Sequence, residues 1–311
     1  MSLREPESFL AELVACGLFI PSGVDGVYGR SHAFEQVLEA VDALVVRETA
    51  PDQAEIVRFP PLLPRTTLER TGYMTSFPHL AGSIFSFEGS ESEAGELGER
   101  AKRHEDWSGF LAAADLMLLP ASCYPVYPWV AAAGPLPSEG RLVDVKSYCF
   151  RHEPSRDPTR LQMFRLHENV RIGSPEQASG WCRSWASRGS ALLASIGLET
   201  ETVPASDPFF GRVGQMLSTN QLEQGLKLEL VYPIAGERPT AIMSLNYHQD
   251  HFGHDFGIVT ASGELAHSAC FGVGLDRVTL ALLATHGLEP AGWPTSVRER
   301  LELDTPAPRP G

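Results

Sequence analysis

Apolar residues recur at helical spacing over a long stretch that opens at Ser31. Phe34, Val37, Leu38, Val41, Leu44 and Val45 share one face, and the Ser31 hydroxyl suits an N-cap. The helix is predicted to stop near Glu48, ahead of Pro51. A short strand at 55–59 follows, closed by Pro60-Pro61. The acidic, Gly-rich segment 86–100 predicts an exposed loop, and 107–118 predicts a helix. Strands are expected at 141–150 and 161–172, joined by the polar EPSRDPTR as a long-looped hairpin. Trp181, Trp185, Leu192 and Ile196 mark one face of a helix over 175–196. A strand near 199–203, a helix at 208–223 and strands at 226–234, 240–247 and 255–261 come next. The last helix spans 272–286, with Gly287 placed to end it. Sequential strands with hairpin-like links, flanked by helices, predict an α+β fold on an antiparallel sheet.

Composition narrows the setting. The 311 residues are 43% hydrophobic, enough for a sizeable core. With 39 acidic and 25 basic residues the net charge is −14, which excludes general attraction to nucleic acid or anionic membrane. Cys16, Cys123, Cys149, Cys182 and Cys270 are widely spaced and form no CxxC, so a disulfide framework is not expected and a reducing cytoplasm is. The N-terminus carries no signal-peptide pattern, and no run reaches the roughly 18 apolar residues of a membrane span. One catalytic domain over 1–300 is expected, with a helical insertion at about 175–225 and a disordered tail at 301–311.

Four features carry candidate chemistry. In the hairpin 150–168, Arg151 and Glu153 share one strand face, with Arg160 and Arg165 on the returning side. Guanidinium forks suit phosphate oxygens, though a salt-bridged surface would have the same composition. In CFGVGLDR (270–277), Gly272 and Gly274 precede Arg277 at a helix start, which fits either an anion site or a tight turn. His248, Asp250, His251, His254 and Asp255 form either a metal cluster or a polar pocket wall. Cys123 lies between prolines and Cys270 before the glycine turn, and their spacing alone does not link them.

Taken in order, these pieces resemble the catalytic core of class II aminoacyl-tRNA synthetases. The helix from Ser31 with EIVRF and Pro60-Pro61 is similar to motif 1, the dimer-forming element. FRHE (150–153) with Arg160 is similar to motif 2, and GVGLDR (272–277) to motif 3. The likeness is to the seryl type, particularly the zinc-containing methanogen form. It is greater still to the amino acid:[carrier protein] ligases, truncated homologues without a tRNA-binding domain. PASCYPVYP, RLHE, SLNYHQDHFG and ACFGVGLDR carry that likeness, over roughly residues 30–290.

The resemblance implies a homodimeric enzyme that activates a small amino acid, glycine or alanine, with ATP and Mg2+. It then loads the phosphopantetheine thiol of an acyl or peptidyl carrier protein, with no tRNA involved. It implies a Zn2+ site at Cys123, Glu168 and Cys270. Arg151 would hold the α-phosphate, Glu153 the adenine amine near the Arg160–Leu161 backbone, and Arg277 the γ-phosphate or the adenine face. Lys227, Glu229 and the run Ala241, Ile242, Met243, Ser244 would add ATP and metal contacts. Ala241 to Ser244 with Asn246, His248 and Glu168 would line the amino acid pocket. The seryl enzymes' adenine-stacking aromatic has its counterpart near Asn169, with Phe164 as substitute. Helix 175–196 or 208–223 would dock the carrier, through Arg183, Arg188 or Arg212. The rival functions are a true tRNA synthetase and a catalytically silent synthetase-like regulator.

Overall fold

A computed structural model describes residues 4–304, apart from the side chains of Arg212 and Val213. Helix α1 (Pro6–Ala15) leads into the hairpin β1 (Phe19–Val24) and β2 (Val27–Arg30), turned at Asp25-Gly26. Helix α2 (His32–Thr49) is capped as predicted, with Ser31 Oγ accepting from the Phe34 amide at 3.4 Å. Then come β3 (Glu55–Val57), β4 (Leu62–Pro64), α3 (Arg65–Arg70), α4 (Tyr73–Ser76), β5 (Ser83–Phe87), α5 (Glu91–Lys102), β6 (Leu111–Leu118) and α6 (Val126–Ala132). The second half holds β7 (Arg141–Phe150), β8 (Met163–Gly173), α7 (Pro175–Ala194), β9 (Glu201–Pro204), α8 (Gly211–Glu223), β10 (Lys227–Tyr232) and β11 (Thr240–Gln249). It ends with α9 (His251–Phe256), β12 (His267–Gly274), α10 (Leu275–His286) and α11 (Thr295–Leu301).

Seven strands form the main sheet, in the order β3-β7-β8-β12-β11-β10-β9. Every neighbouring pair is antiparallel except β3 with β7, so the expected antiparallel sheet is mixed at this edge. Strands β4, β6 and β5 form a separate three-stranded sheet. Helices α2, α7 and α10 cover one face of the main sheet, where Trp185 packs at a tilt on Phe271 and Met243 lies against Gly189. Among the described residues, no helix is long and apolar enough to cross a membrane.

Several expectations need correction. Segment 86–100 is largely helix α5, started by a Ser90/Glu93 capping box that the loop reading overlooked. Segment 111–118 is strand β6, because pairing with β4 and β5 overrides its alanine-rich helical composition. Strand 255–261 is absent; the chain there is the end of α9 and a loop, and the strand is β12. Gly272 and Gly274 therefore belong to β12, not to a turn before the helix. Within segment 175–225, helix α7 packs into the core, β9 is an outer strand of the main sheet, and α8 follows it. Of the expected tail, Leu301 is buried at the end of α11, and 305–311 lie outside the described residues.

The covered face holds a charged cluster. His167 is fully buried, with Nδ1 2.7 Å from Asp42 and Nε2 2.7 Å from Asp144. Arg58 and Lys146 bind the same two carboxylates. Burial pulls the His167 pKa down, but the two carboxylates outweigh it and raise the net value. A raised histidine contributes fully below its ordinary pKa of about 6.5 and loses that contribution as pH rises through the folded value. His167→Ala is therefore expected to cost about 3 kcal/mol at pH 6, by leaving two carboxylates underpaired. The deficit should shrink as pH rises; urea denaturation at several pH values checks it.

Candidate active site

Strand register builds the uncovered face. Opposed residues on neighbouring strands point to the same side. One row runs Glu229, Ser244, Gly272, Glu168 and Val145; the next runs Lys227, Asn246, Cys270, Val170 and Val143. Two residues of RLHE thus part company. Glu168 faces the site, and His167 faces the charged cluster behind the sheet. A side chain at Gly272 would meet Glu168 Cγ at 3.3 Å, so glycine keeps the floor open beside that carboxylate.

The turn after β6 brings in the third member. Ser122 Oγ donates to the Leu166 carbonyl at 2.8 Å, and the Cys123 amide donates to Glu168 Oε2 at 2.8 Å. Among the described residues, Cys123, Glu168 and Cys270 offer ligand atoms that all lie within 4.8 Å of one another, and all three are buried. Two sulfurs and a carboxylate oxygen form a donor set that fits zinc. The neighbouring Cys123 holds the Cys270 thiol well below its usual range against its burial, with help from His248 and Asn246. Cys270 in turn, with burial, pushes Cys123 up. Burial, followed by the charge on Cys270, raises Glu168. Asn246 Nδ2 and His248 Nε2 approach the Cys270 sulfur at 3.7 and 3.6 Å, while His248 Nδ1 meets Ser268 Oγ at 3.1 Å. Both therefore sit beside the Cys270 sulfur.

A second, basic group adjoins this one. Arg151 donates from Nε to the Pro120 carbonyl at 3.2 Å, and its guanidinium lies 5.5 Å from the centre of the Phe164 ring. Arg277 is fixed by the carbonyls of Thr159 (2.9 Å) and Ala241 (3.0 Å). Burial, with Arg151 and Arg160 nearby, lowers the Arg277 pKa to about 10, so it stays charged at neutral pH. Glu153 accepts from Arg160 at 3.4 Å. Lys227 bridges Asp207 (2.6 Å) and Glu229 (3.1 Å). Leu161 is buried in the core, so only its backbone borders the loop.

Other predicted positions fall elsewhere. Ile242 and Met243 are core residues, and Met243 packs on α7. Arg165 lies behind the sheet, paired with Glu35 and Asp276. Asn169 is also there, donating to Asp144 at 3.3 Å, so it cannot offer a stacking surface. His251 and His254 are exposed beside Asp255 and do not converge with His248 on a metal position. Arg188 stacks 3.9 Å over Trp185 and pairs with Asp52, and α7 itself lies on the far face from the site. Arg212's side chain lies outside the described residues. Asp207, the buried Tyr73 and Tyr127 and the half-buried Tyr124 were not legible as site residues in the sequence. Burial raises the Tyr73 pKa to about 12, and its hydroxyl has no protein partner. Only the YPVYP part of PASCYPVYP hinted at Tyr124 and Tyr127.

Comparison with known proteins agrees with this architecture. The chain is 46% identical over 291 residues to amino acid–[acyl-carrier-protein] ligase 2 of Bradyrhizobium diazoefficiens, spanning 93% of this chain and 87% of that protein. It is 45% identical to ligase 1 of the same organism, spanning 92% and 88%. Type-2 serine–tRNA ligase of Methanopyrus kandleri is 27% identical, over 84% of this chain and 53% of that protein. In structure, the chain matches M. kandleri seryl-tRNA synthetase, solved with A. aeolicus tRNASec, at a TM-score of 0.82 and 21% identity, over 98% of this chain and 62% of that one. The Pyrococcus horikoshii seryl-tRNA synthetase, solved with ATP, matches at 0.69 and 14%, over 97% and 64%. No family model matches the chain.

Proposed function

The chain belongs to the amino acid–[acyl-carrier-protein] ligases, and on that premise we propose that it activates glycine or alanine with ATP and Mg2+ in the cytoplasm, then loads a carrier protein. No tRNA takes part. The observation that carries this reading is the meeting, on one sheet face, of the Cys123–Glu168–Cys270 group with Arg151 and Arg277. Cys123, Glu168 and Cys270 would hold Zn2+, which supplies a Lewis-acid position for a free α-amino group. Asn246 and His248 orient the Cys270 sulfur.

The amino acid carboxylate attacks the α-phosphorus of ATP, forming the mixed anhydride and releasing pyrophosphate. Arg151, with Nε tied to Pro120, turns its terminal nitrogens to the α-phosphate and the carboxylate. This is positioning and charge stabilisation by donors already in place. Phe164 replaces Asn169 as the adenine's stacking partner, opposite an Arg277 held flat by two carbonyls. Glu153 accepts from the adenine amine. Lys227 holds Glu229 at the end of its row for the Mg2+ that accompanies ATP. The carrier's phosphopantetheine thiol then attacks the carbonyl carbon, AMP leaves, and a thioester forms.

Helix α8 is the carrier's docking element. Phe210, Met216, Leu217 and Leu222 are exposed there, Met216 by 74%. Phe209 stacks on Phe77, and Asp207 joins the root of the helix to Lys227 in the site. Met216→Asp with Leu217→Asp is expected to lower carrier loading at least about tenfold while leaving ATP–pyrophosphate exchange within about twofold, since hot-spot losses run to a few kcal/mol. Equal loss of both activities would remove α8 from this role. The homodimer forms along β3, an outer strand with Ile56 67% exposed. Small amino acids tested one at a time in pyrophosphate exchange check the whole reading.

A further inference from the structure

The hairpin β1–β2 lies far from Arg151 in sequence, yet it touches the base of the loop that carries Arg151, Glu153 and Arg160. The contact passes through Gln162, which is only 5% exposed. The Gln162 amide donates to the Gly26 carbonyl at 2.8 Å, and Gln162 Nε2 donates to the Asp25 carbonyl at 2.8 Å. The Gln162 carbonyl accepts from the Arg151 amide at 3.0 Å, and Oε1 lies 3.3 Å from His152 Nδ1. One residue thus joins both ends of the loop to the hairpin turn.

The hairpin side is equally constrained. Gly26 has φ +77°, and a Cβ there would meet Gln162 Cγ at 3.1 Å and the Arg160 carbonyl at 3.3 Å. Glycine is needed both for the backbone angle and for the close approach. The hairpin is itself anchored. Phe19 is buried against Tyr28 and Phe34, and Arg30 donates to the Met163 carbonyl at 2.9 Å. Surface loops rarely receive such support unless their position matters.

We infer that the Asp25-Gly26 turn and Gln162 form a clamp that sets the height of the 151–160 loop over the nucleotide, making Gln162 a positioning residue for ATP. This rests on the adenylation reading above. Without the side-chain bonds the loop base keeps the Gln162–Gly26 and Arg151–Gln162 backbone bonds and the Arg277 contact to Thr159 but loses its tie to Asp25, and its guanidinium and carboxylate groups lose their common register. Nucleotide affinity suffers first, because Cys123, Glu168 and Cys270 are attached to other elements.

The test uses the full chain with Gln162→Leu and, separately, Gly26→Ala, in glycine- or alanine-dependent ATP–pyrophosphate exchange with zinc content measured alongside. Both variants are expected to raise KM for ATP about tenfold, corresponding to one or two buried hydrogen bonds. KM for the amino acid and bound zinc should stay within about twofold. Combining them should add little, because they break the same contact. A merely structural role would lower thermal stability and shift both KM values together, overturning the inference. Unchanged KM for ATP in both variants would also overturn it. Absence of exchange in the unmodified protein would instead sink the adenylation reading, and the clamp with it.

Discussion

Cys270→Ala is expected to abolish both zinc binding and the proposed activity. Metal analysis is expected to find about one zinc per unmodified chain and less than roughly a tenth of that in the variant. ATP–pyrophosphate exchange should fall at least about a thousandfold, because the amino group loses its Lewis-acid anchor. The physical basis is the isolation of this donor set. Cys123, Glu168 and Cys270 are buried together, and the Cys123 amide already spends its hydrogen bond on Glu168. Among the described residues, no fourth carboxylate, thiol or imidazole is grouped with these three. His248→Ala, which removes the ring that spans Ser268 and the Cys270 sulfur, should lower zinc affinity about 10- to 100-fold while leaving turnover of the zinc-loaded protein much less affected. Full activity in a zinc-free Cys270→Ala protein would remove the metal from the account.

Arg151→Ala is expected to lower kcat for exchange by about two to three orders of magnitude, with a smaller change in KM for either substrate. Its charge is held in the cleft by a carbonyl and an aromatic face, with no carboxylate salt bridge among the described residues to neutralise it. It is therefore available where negative charge builds up at the α-phosphorus. Arg151→Lys should recover little, since an ammonium cannot keep the Pro120 contact and present a fork at once. Zinc content and thermal midpoint should stay close to those of the unmodified protein. A variant whose loss tracks unfolding would assign Arg151 to the fold instead.

The order of elements around the site was legible because each had a local signal. Ser31 and the apolar face of α2, the β7–β8 hairpin and the helix after Gly274 follow from capping and periodicity. What periodicity could not supply was sidedness. Arg165 and Arg151 look equivalent in FRHEPSRDPTRLQMFR, yet alternation along β8 sends Arg165 behind the sheet to Glu35 and Asp276. The same alternation separates Asn169 from Phe164. The link between Cys123 and Cys270 was invisible in spacing, because a turn after β6 and the middle of β12 meet only through register with Glu168. Strand β6 was misread because LAAADLML is helical by composition and becomes a strand through its partners. The Asp25-Gly26 hairpin, flanked by Val24 and Val27, carries a direct turn signal in the sequence.

In the proposed function, one sheet face activates a small amino acid and hands it to a thiol. The most direct measurement incubates the protein with ATP, Mg2+, glycine or alanine and a phosphopantetheine-bearing acyl carrier protein, then weighs the intact carrier. The account predicts a mass gain of one aminoacyl group, dependent on ATP and reversed by hydroxylamine. An unmodified carrier with every small amino acid, or label appearing on tRNA in its place, would contradict it.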